Sequence, residues 1–110
     1  MNIQLKKGLL EYCVLAVLNR GDSYGYRIIG DISPAISISE STLYPILKRL
    51  EADEMLVTYS VEASGRLRKY YRITSAGRAK LTQFPQEWEE MKQVSQFVLA
   101  DLVGRDDPHG

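Results

Sequence analysis

Apolar residues recur at intervals of three and four through residues 5–18, at Leu9, Leu10, Cys13, Val14, Val17 and Leu18, the spacing of a helix with a wide buried stripe. Gly21 ends that pattern. A shorter helix carrying Tyr24, Ile28, Ile29 and Ile32 follows, with Asp22 or Ser23 as its expected cap and Pro34 closing it, because the residue before a proline is pushed out of helical geometry. Tyr24 and Tyr26 are expected to pack this unit. The hydroxyl-rich stretch 39–42 then precedes Leu43, Ile46, Leu47, Leu50 and Met55, a third amphipathic helix with Lys48 and Arg49 on its exposed face. Pro45 leaves its start open. A cap at Ser41 or Thr42 puts the proline near the first turn at little cost, whereas a cap at Ser39 predicts a local bend.

The period then changes from helical to alternating. Residues 56–62 place Val57, Tyr59 and Val61 on one side and Thr58 and Ser60 on the other, a half-buried strand. Residues 68–74 alternate again, with Tyr71 and Ile73 predicted inward and Tyr70 and Arg72 outward. Gly65 supplies the turn between them. Two strands alone are marginal in water, so this hairpin has to pack on the helices. Thr74 or Ser75 caps a last helix through residue 102, about 42 Å long at the helical rise. Its apolar positions Leu81, Phe84, Trp88, Met91, Val98 and Leu102 form a coiled-coil-like seam with Ser95 as a gap and Pro85 as an expected kink or restart. A seam that long outruns a compact domain, and a second copy of the chain buries it most simply. The predicted organisation is a three-helix and hairpin domain over residues 1–74, a dimerisation helix over 75–103 and a disordered tail over 104–110.

Composition narrows the chemistry. The chain has 110 residues, 45% apolar and 25% charged, the range of a single globular domain. It holds no apolar run of about 18 residues and no signal-peptide core, so a cytoplasmic location with no membrane partner is expected. Cys13 is the single cysteine and His109 the single histidine, which leaves no disulfide, no Cys/His metal site and no expected cofactor. Cys13 lies on the first helix's apolar stripe, where a small core residue is the plainer role. The acid pairs at 53–54 and 106–107 are sequence neighbours rather than converging groups, and no glycine-rich phosphate loop exists. Catalysis is therefore not expected.

The net charge is +0, which by itself argues against a polyanionic partner, but the charge is segregated. Arg66, Arg68, Lys69, Arg72, Arg78 and Lys80 cluster with no acid among them, while Glu87, Glu89, Glu90 and Asp101 lead an acidic C-terminal stretch. Three helices followed by a basic hairpin is the layout of a winged helix-turn-helix, mainly α with a two-stranded β wing, here carrying a long C-terminal dimerisation helix. In that layout the third helix enters the DNA major groove and the wing lies along the backbone. Ser39, Ser41, Thr42, Tyr44, Lys48 and Arg49 would face the groove, Arg66, Arg68 and Lys69 the phosphates beside the wing. Lys6 and Lys7 would reach flanking phosphates, with Ile3 and Leu5 anchoring the first helix. A winged helix used only for protein contacts is the other reading, opposed by the basic wing and favoured by the neutral net charge.

Three segments carry a family resemblance: Asp22-Ser23-Tyr24-Gly25-Tyr26; Thr42-Leu43-Tyr44-Pro45-Ile46-Leu47-Lys48-Arg49-Leu50-Glu51; and Gly65-Arg66-Leu67-Arg68-Lys69-Tyr70-Tyr71-Arg72-Ile73-Thr74. With them the chain resembles the PadR family of bacterial transcriptional regulators, in its short form with a single C-terminal helix, from residue 5 to about residue 102. The resemblance implies a homodimeric repressor binding double-stranded DNA at a palindromic operator, often in its own promoter. It also implies that a proline after Tyr44 is tolerated in the recognition helix. A subset of such regulators binds flat aromatic compounds between paired tryptophans of the C-terminal helices. Trp88 falls at that place, so a planar aromatic inducer is implied there, and Glu87, Glu89 and Glu90 suit a cationic one. Pro85 departs from the pattern, and interface packing alone is the plainer role for Trp88.

Overall fold

The computed structural model describes residues 2–105. Helix α1 (Ile3–Arg20) starts where the Asn2 side chain accepts a hydrogen bond from the Gln4 backbone N–H at 2.8 Å, and it buries Leu10, Val14, Leu15, Val17 and Leu18. Ile3 and Leu5 do not anchor it as expected. They are 66% and 44% exposed, because the stripe that meets the core begins only at Leu10.

Helix α2 (Gly25–Ile32) has no side-chain cap, which corrects the expectation for Asp22 and Ser23. Ser23 is buried and pairs with Tyr71 as a one-residue bridge, its N–H donating to the Tyr71 carbonyl at 3.2 Å and its carbonyl accepting from Tyr71 at 2.8 Å. The backbone before α2 is thus tied to the wing, a tertiary demand that overrides the capping preference of serine. Helix α3 (Glu40–Ala52) follows Ser39, whose hydroxyl bonds the Ser41 and Thr42 hydroxyls rather than a backbone N–H. Pro45 therefore sits in the second turn. It is exposed, and it removes one internal hydrogen bond while Leu43, Ile46, Leu47 and Leu50 keep the helix seated on α1 and α2.

The hairpin pairs β1 (Leu56–Ala63) with β2 (Arg66–Ile73) in antiparallel register, from Leu56 opposite Ile73 to Ala63 opposite Arg66. Its turn is only two residues, Ser64 at φ 51° and Gly65 at φ 77°, both in the left-handed region that a tight hairpin turn requires. Tyr71 and Ile73 face the core as predicted. β1 reverses the expectation: Leu56 is buried and Thr58 half-buried, whereas Val57 and Val61 are 48% and 40% exposed. Register explains this, since the residues opposite Ile73 and Tyr71 are Leu56 and Thr58.

The C-terminal region is two helices rather than one. Thr74 caps α4 (Ser75–Leu81), accepting from the Gly77 N–H at 3.0 Å. The chain turns at residues 82–83, and α5 (Phe84–Arg105) restarts with Pro85 in its first turn, where a missing N–H costs nothing. Leu81, expected on the seam, is half-buried against the domain core, and α4 packs on α1 and β2. Gly104 and Arg105, expected in the tail, belong to α5; the rest of that predicted tail, residues 106–110, lies outside the described residues. The chain measures 71 × 26 × 21 Å, so α5 makes it far longer than it is wide.

Candidate nucleic-acid interface

Two recesses gather most of the candidate DNA-binding side chains. The first, of about 360 Å³, lies between α1 and α3. Ile3, Lys6, Lys7 and Leu10 form one wall; Ser41, Thr42, Pro45, Ile46 and Arg49 form the other. Arg49 is committed in part elsewhere, its Nε donating to Glu11 Oε1 at 3.1 Å, so it ties the third helix to α1 as well as offering a cation. The second recess, of about 460 Å³, lies between the start of α2, Tyr44 of α3, and Arg68, Lys69 and Tyr71 of the wing. Ser39, Lys48 and Arg66 are exposed outside both.

The wing's outer face carries a network that the sequence reading missed. Asp22 Oδ2 accepts hydrogen bonds from the Tyr59 hydroxyl at 2.6 Å and from Arg72 Nε at 3.0 Å, and pairs with Arg72 Nη2 at 2.9 Å. The Arg72 and Tyr59 hydrogen bonds hold the Asp22 carboxyl below the usual carboxylate range, and the same contact pushes the Tyr59 hydroxyl up. Arg72 is thus a clamp at the wing base. Tyr59 stacks on Tyr70 with centroids 5.6 Å apart, Tyr70 meets Tyr24 edge-on at 5.5 Å, and the Arg68 guanidinium lies 4.2 Å over the Tyr24 ring. Tyr26, expected to pack the helical unit, is 74% exposed at the rim of the second recess. The signal available in sequence was the density of tyrosine around Arg68 and Arg72, not the pairing itself.

At the far end, α5 leaves its apolar residues bare. Phe84 is half-buried, its ring edge-on to Tyr12 at 4.9 Å and stacked on Trp88 at 6.4 Å. Every residue from 85 to 103 is exposed, including Trp88, Met91, Val98 and Leu102 of the predicted seam. Val94 and Leu99 widen that stripe, and neither was read from the sequence. The Tyr12 hydroxyl beneath Phe84 is buried; burial and the Glu87 carboxylate beside it push it up to about 12. Cys13 is half-buried, and burial pushes its thiol up, away from the reactive thiolate. Among the described residues no group of three His, Cys, Asp or Glu side chains could hold a metal ion, and no helix is long and apolar enough to cross a membrane.

Residues 14–83 match the Transcriptional regulator PadR-like family. Transcriptional regulator Rv3488 of Mycobacterium tuberculosis is 50% identical over 68 residues, which span 62% of this chain and 54% of that protein. The structure of a transcriptional regulator from Clostridium thermocellum is similar with a TM-score of 0.77 at 34% identity, over 87% of this chain and 95% of that one. The structure of Bacillus subtilis PadR in complex with operator DNA is similar with a TM-score of 0.64 at 25% identity, over 69% of this chain and 45% of that one.

Proposed function

We propose that this chain, which belongs to the PadR-like family of DNA-binding transcriptional regulators, is a homodimeric repressor of its own or a neighbouring operon that a planar aromatic ligand releases from DNA. The observation that carries this reading is the bare apolar stripe of α5 at one end of a protomer whose other end gathers hydroxyls and cations around α3 and the wing. An exposed apolar stripe of that length needs a partner surface, and a second copy pairs it with itself about a two-fold axis. The two third helices then meet successive major grooves about 34 Å apart, which calls for an inverted-repeat operator. The family is one of transcriptional regulators, not of enzymes.

Release follows from where Trp88 sits. One face of its indole stacks on Phe84 and the side chain is 48% exposed, with Glu87, Glu89 and Glu90 adjacent in the helix. In a dimer, two such rings on paired helices can sandwich a flat cation. Such a ligand lowers DNA affinity only by binding one arrangement of the α5 helices better than the DNA-bound one.

The test is a complex of protein and its own upstream duplex, followed by fluorescence anisotropy as a planar cationic dye is added. Anisotropy is expected to fall with dye for the wild type and to stay high for Trp88→Ala, which still binds DNA as a dimer. A Trp88→Ala complex released by the same dye concentration contradicts the ligand reading; a wild-type complex that dye never dissociates contradicts release itself.

A further inference from the structure

The wing is an exposed two-stranded hairpin, and a long arginine side chain on such an element loses considerable rotamer freedom when it settles on a phosphate. Arg68 is spared part of that loss. Its guanidinium lies 4.2 Å from the centre of the Tyr24 ring, and Tyr24 belongs to the segment leading into α2, not to the wing. The ring is in turn fixed from behind: it meets Tyr70 edge-on, Tyr70 stacks on Tyr59, and Tyr59 is hydrogen-bonded to Asp22, two residues before Tyr24 in the chain. The result is a closed loop of contacts that ends under the Arg68 guanidinium, with the Arg27 guanidinium farther off at 5.9 Å from the same ring and the Ser23 to Tyr71 bridge as the backbone link. Beside Arg68 the recess also presents Lys69 and the side chains of Tyr26 and Tyr44, an arrangement of cations and hydroxyls suited to a phosphodiester.

We propose that Tyr24 is a positioning residue for DNA binding, its ring holding the Arg68 guanidinium over the recess beside Tyr44 so that Arg68 meets a backbone phosphate already oriented. This rests on the reading that the wing lies along DNA. Tyr24 itself supplies no charge, and its hydroxyl is not used; the flat ring is what matters. Arg72, clamped to Asp22, anchors the stack while Arg68 is its working end.

The experiment is binding of the full-length chain to a mixed-sequence duplex across a salt series, since phosphate contacts need no particular operator. Arg68→Ala is expected to weaken binding about tenfold and to lower the salt slope by about one. Tyr24→Phe should match the wild type, and Tyr24→Leu should bind about two- to fivefold more weakly. In the Arg68→Ala background that last loss should vanish, an effect that general loosening of the fold does not produce. An Arg68→Ala variant with unchanged affinity and slope overturns the wing contact and the proposal with it. A Tyr24→Leu loss that persists undiminished in the Arg68→Ala background overturns only the positioning role. If Tyr24→Leu does not fold, the unsubstituted protein decides: Arg68 side-chain protons should show an upfield ring-current shift in NMR spectra, and resonances at ordinary positions overturn the proposal.

Discussion

Val98→Glu is expected to convert the protein from dimer to monomer and to weaken binding to a two-half-site operator by at least about a hundredfold. Val98 lies on the apolar stripe of α5 with Met91 and Leu102, and in the single chain it is half exposed, touching nothing that holds the DNA-binding domain together. In a two-fold dimer a glutamate there faces its own copy or the neighbouring apolar residues, and an unpaired charge buried at an interface costs several kcal/mol. Each freed protomer still carries α3 and the wing, so half-site binding should survive. What is lost is the second, intramolecular binding event, whose effective concentration is worth about 10²–10⁴ in affinity. Sedimentation checks the first part and titration of a two-half-site duplex the second. A Val98→Glu protein that remains dimeric would remove α5 from the interface.

Gly77→Ala should have the largest effect on stability. Gly77 is buried in the first turns of α4, and a β-carbon there runs into the Met55 carbonyl oxygen, a backbone atom, and lies 2.7 Å from Ile73 Cγ1. Neither neighbour can retreat. The Met55 carbonyl accepts the Thr74 N–H at 3.1 Å, the Thr74 hydroxyl donates to the Glu54 carbonyl at 2.7 Å, and Ile73 is 4% exposed in the core. Overpacking against fixed backbone costs about 2–3 kcal/mol, which lowers the melting temperature of a domain this size by roughly 10–20 °C. Gly30→Ala in α2 is the control: its β-carbon meets nothing within 4 Å, and alanine's helix propensity should add up to about 1 kcal/mol. Thermal unfolding of the two variants separates the steric argument from a generic intolerance of glycine replacement. A Gly77→Ala protein as stable as the wild type contradicts the close approach of α4 to Met55, in the turn between α3 and β1.

How much of this was legible in sequence depended on whether a residue's role is local. Helices α1 and α3 were visible because their buried faces repeat at helical spacing, and the inward side of β2 because Tyr71 and Ile73 alternate with charged or solvent-facing neighbours. β1 misled because it carries apolar residues on both faces, and only its register with β2 decides which face meets the core. Asp22 and Ser23 have the composition of a helix cap, yet both are engaged by the wing some fifty residues later, through Arg72 and Tyr71. No local rule anticipates a partner that distant. The same holds for the candidate interface: the cations of the wing stood out as a run, whereas the tyrosine stack that orients one of them exists only once the hairpin folds back onto the start of α2. The last helix shows the opposite case. Its apolar stripe was legible as spacing, and Pro85 marked a kink or a restart; which of the two it is, and that Leu81 leaves the stripe for the domain core, was not, because residues 82–83 carry no glycine.

The proposed function has a dimer recognise DNA sequence through α3 and hold the backbone through the wing. It is tested most directly by fluorescence anisotropy of the purified protein on its own upstream duplex and on a scrambled duplex of the same composition, across a salt series with stoichiometry determined. Selective binding to the upstream duplex, two chains per site and a steep salt slope on both duplexes are expected. Equal affinity for the two duplexes, or binding indifferent to salt, contradicts it and favours a winged helix that works through protein contacts instead.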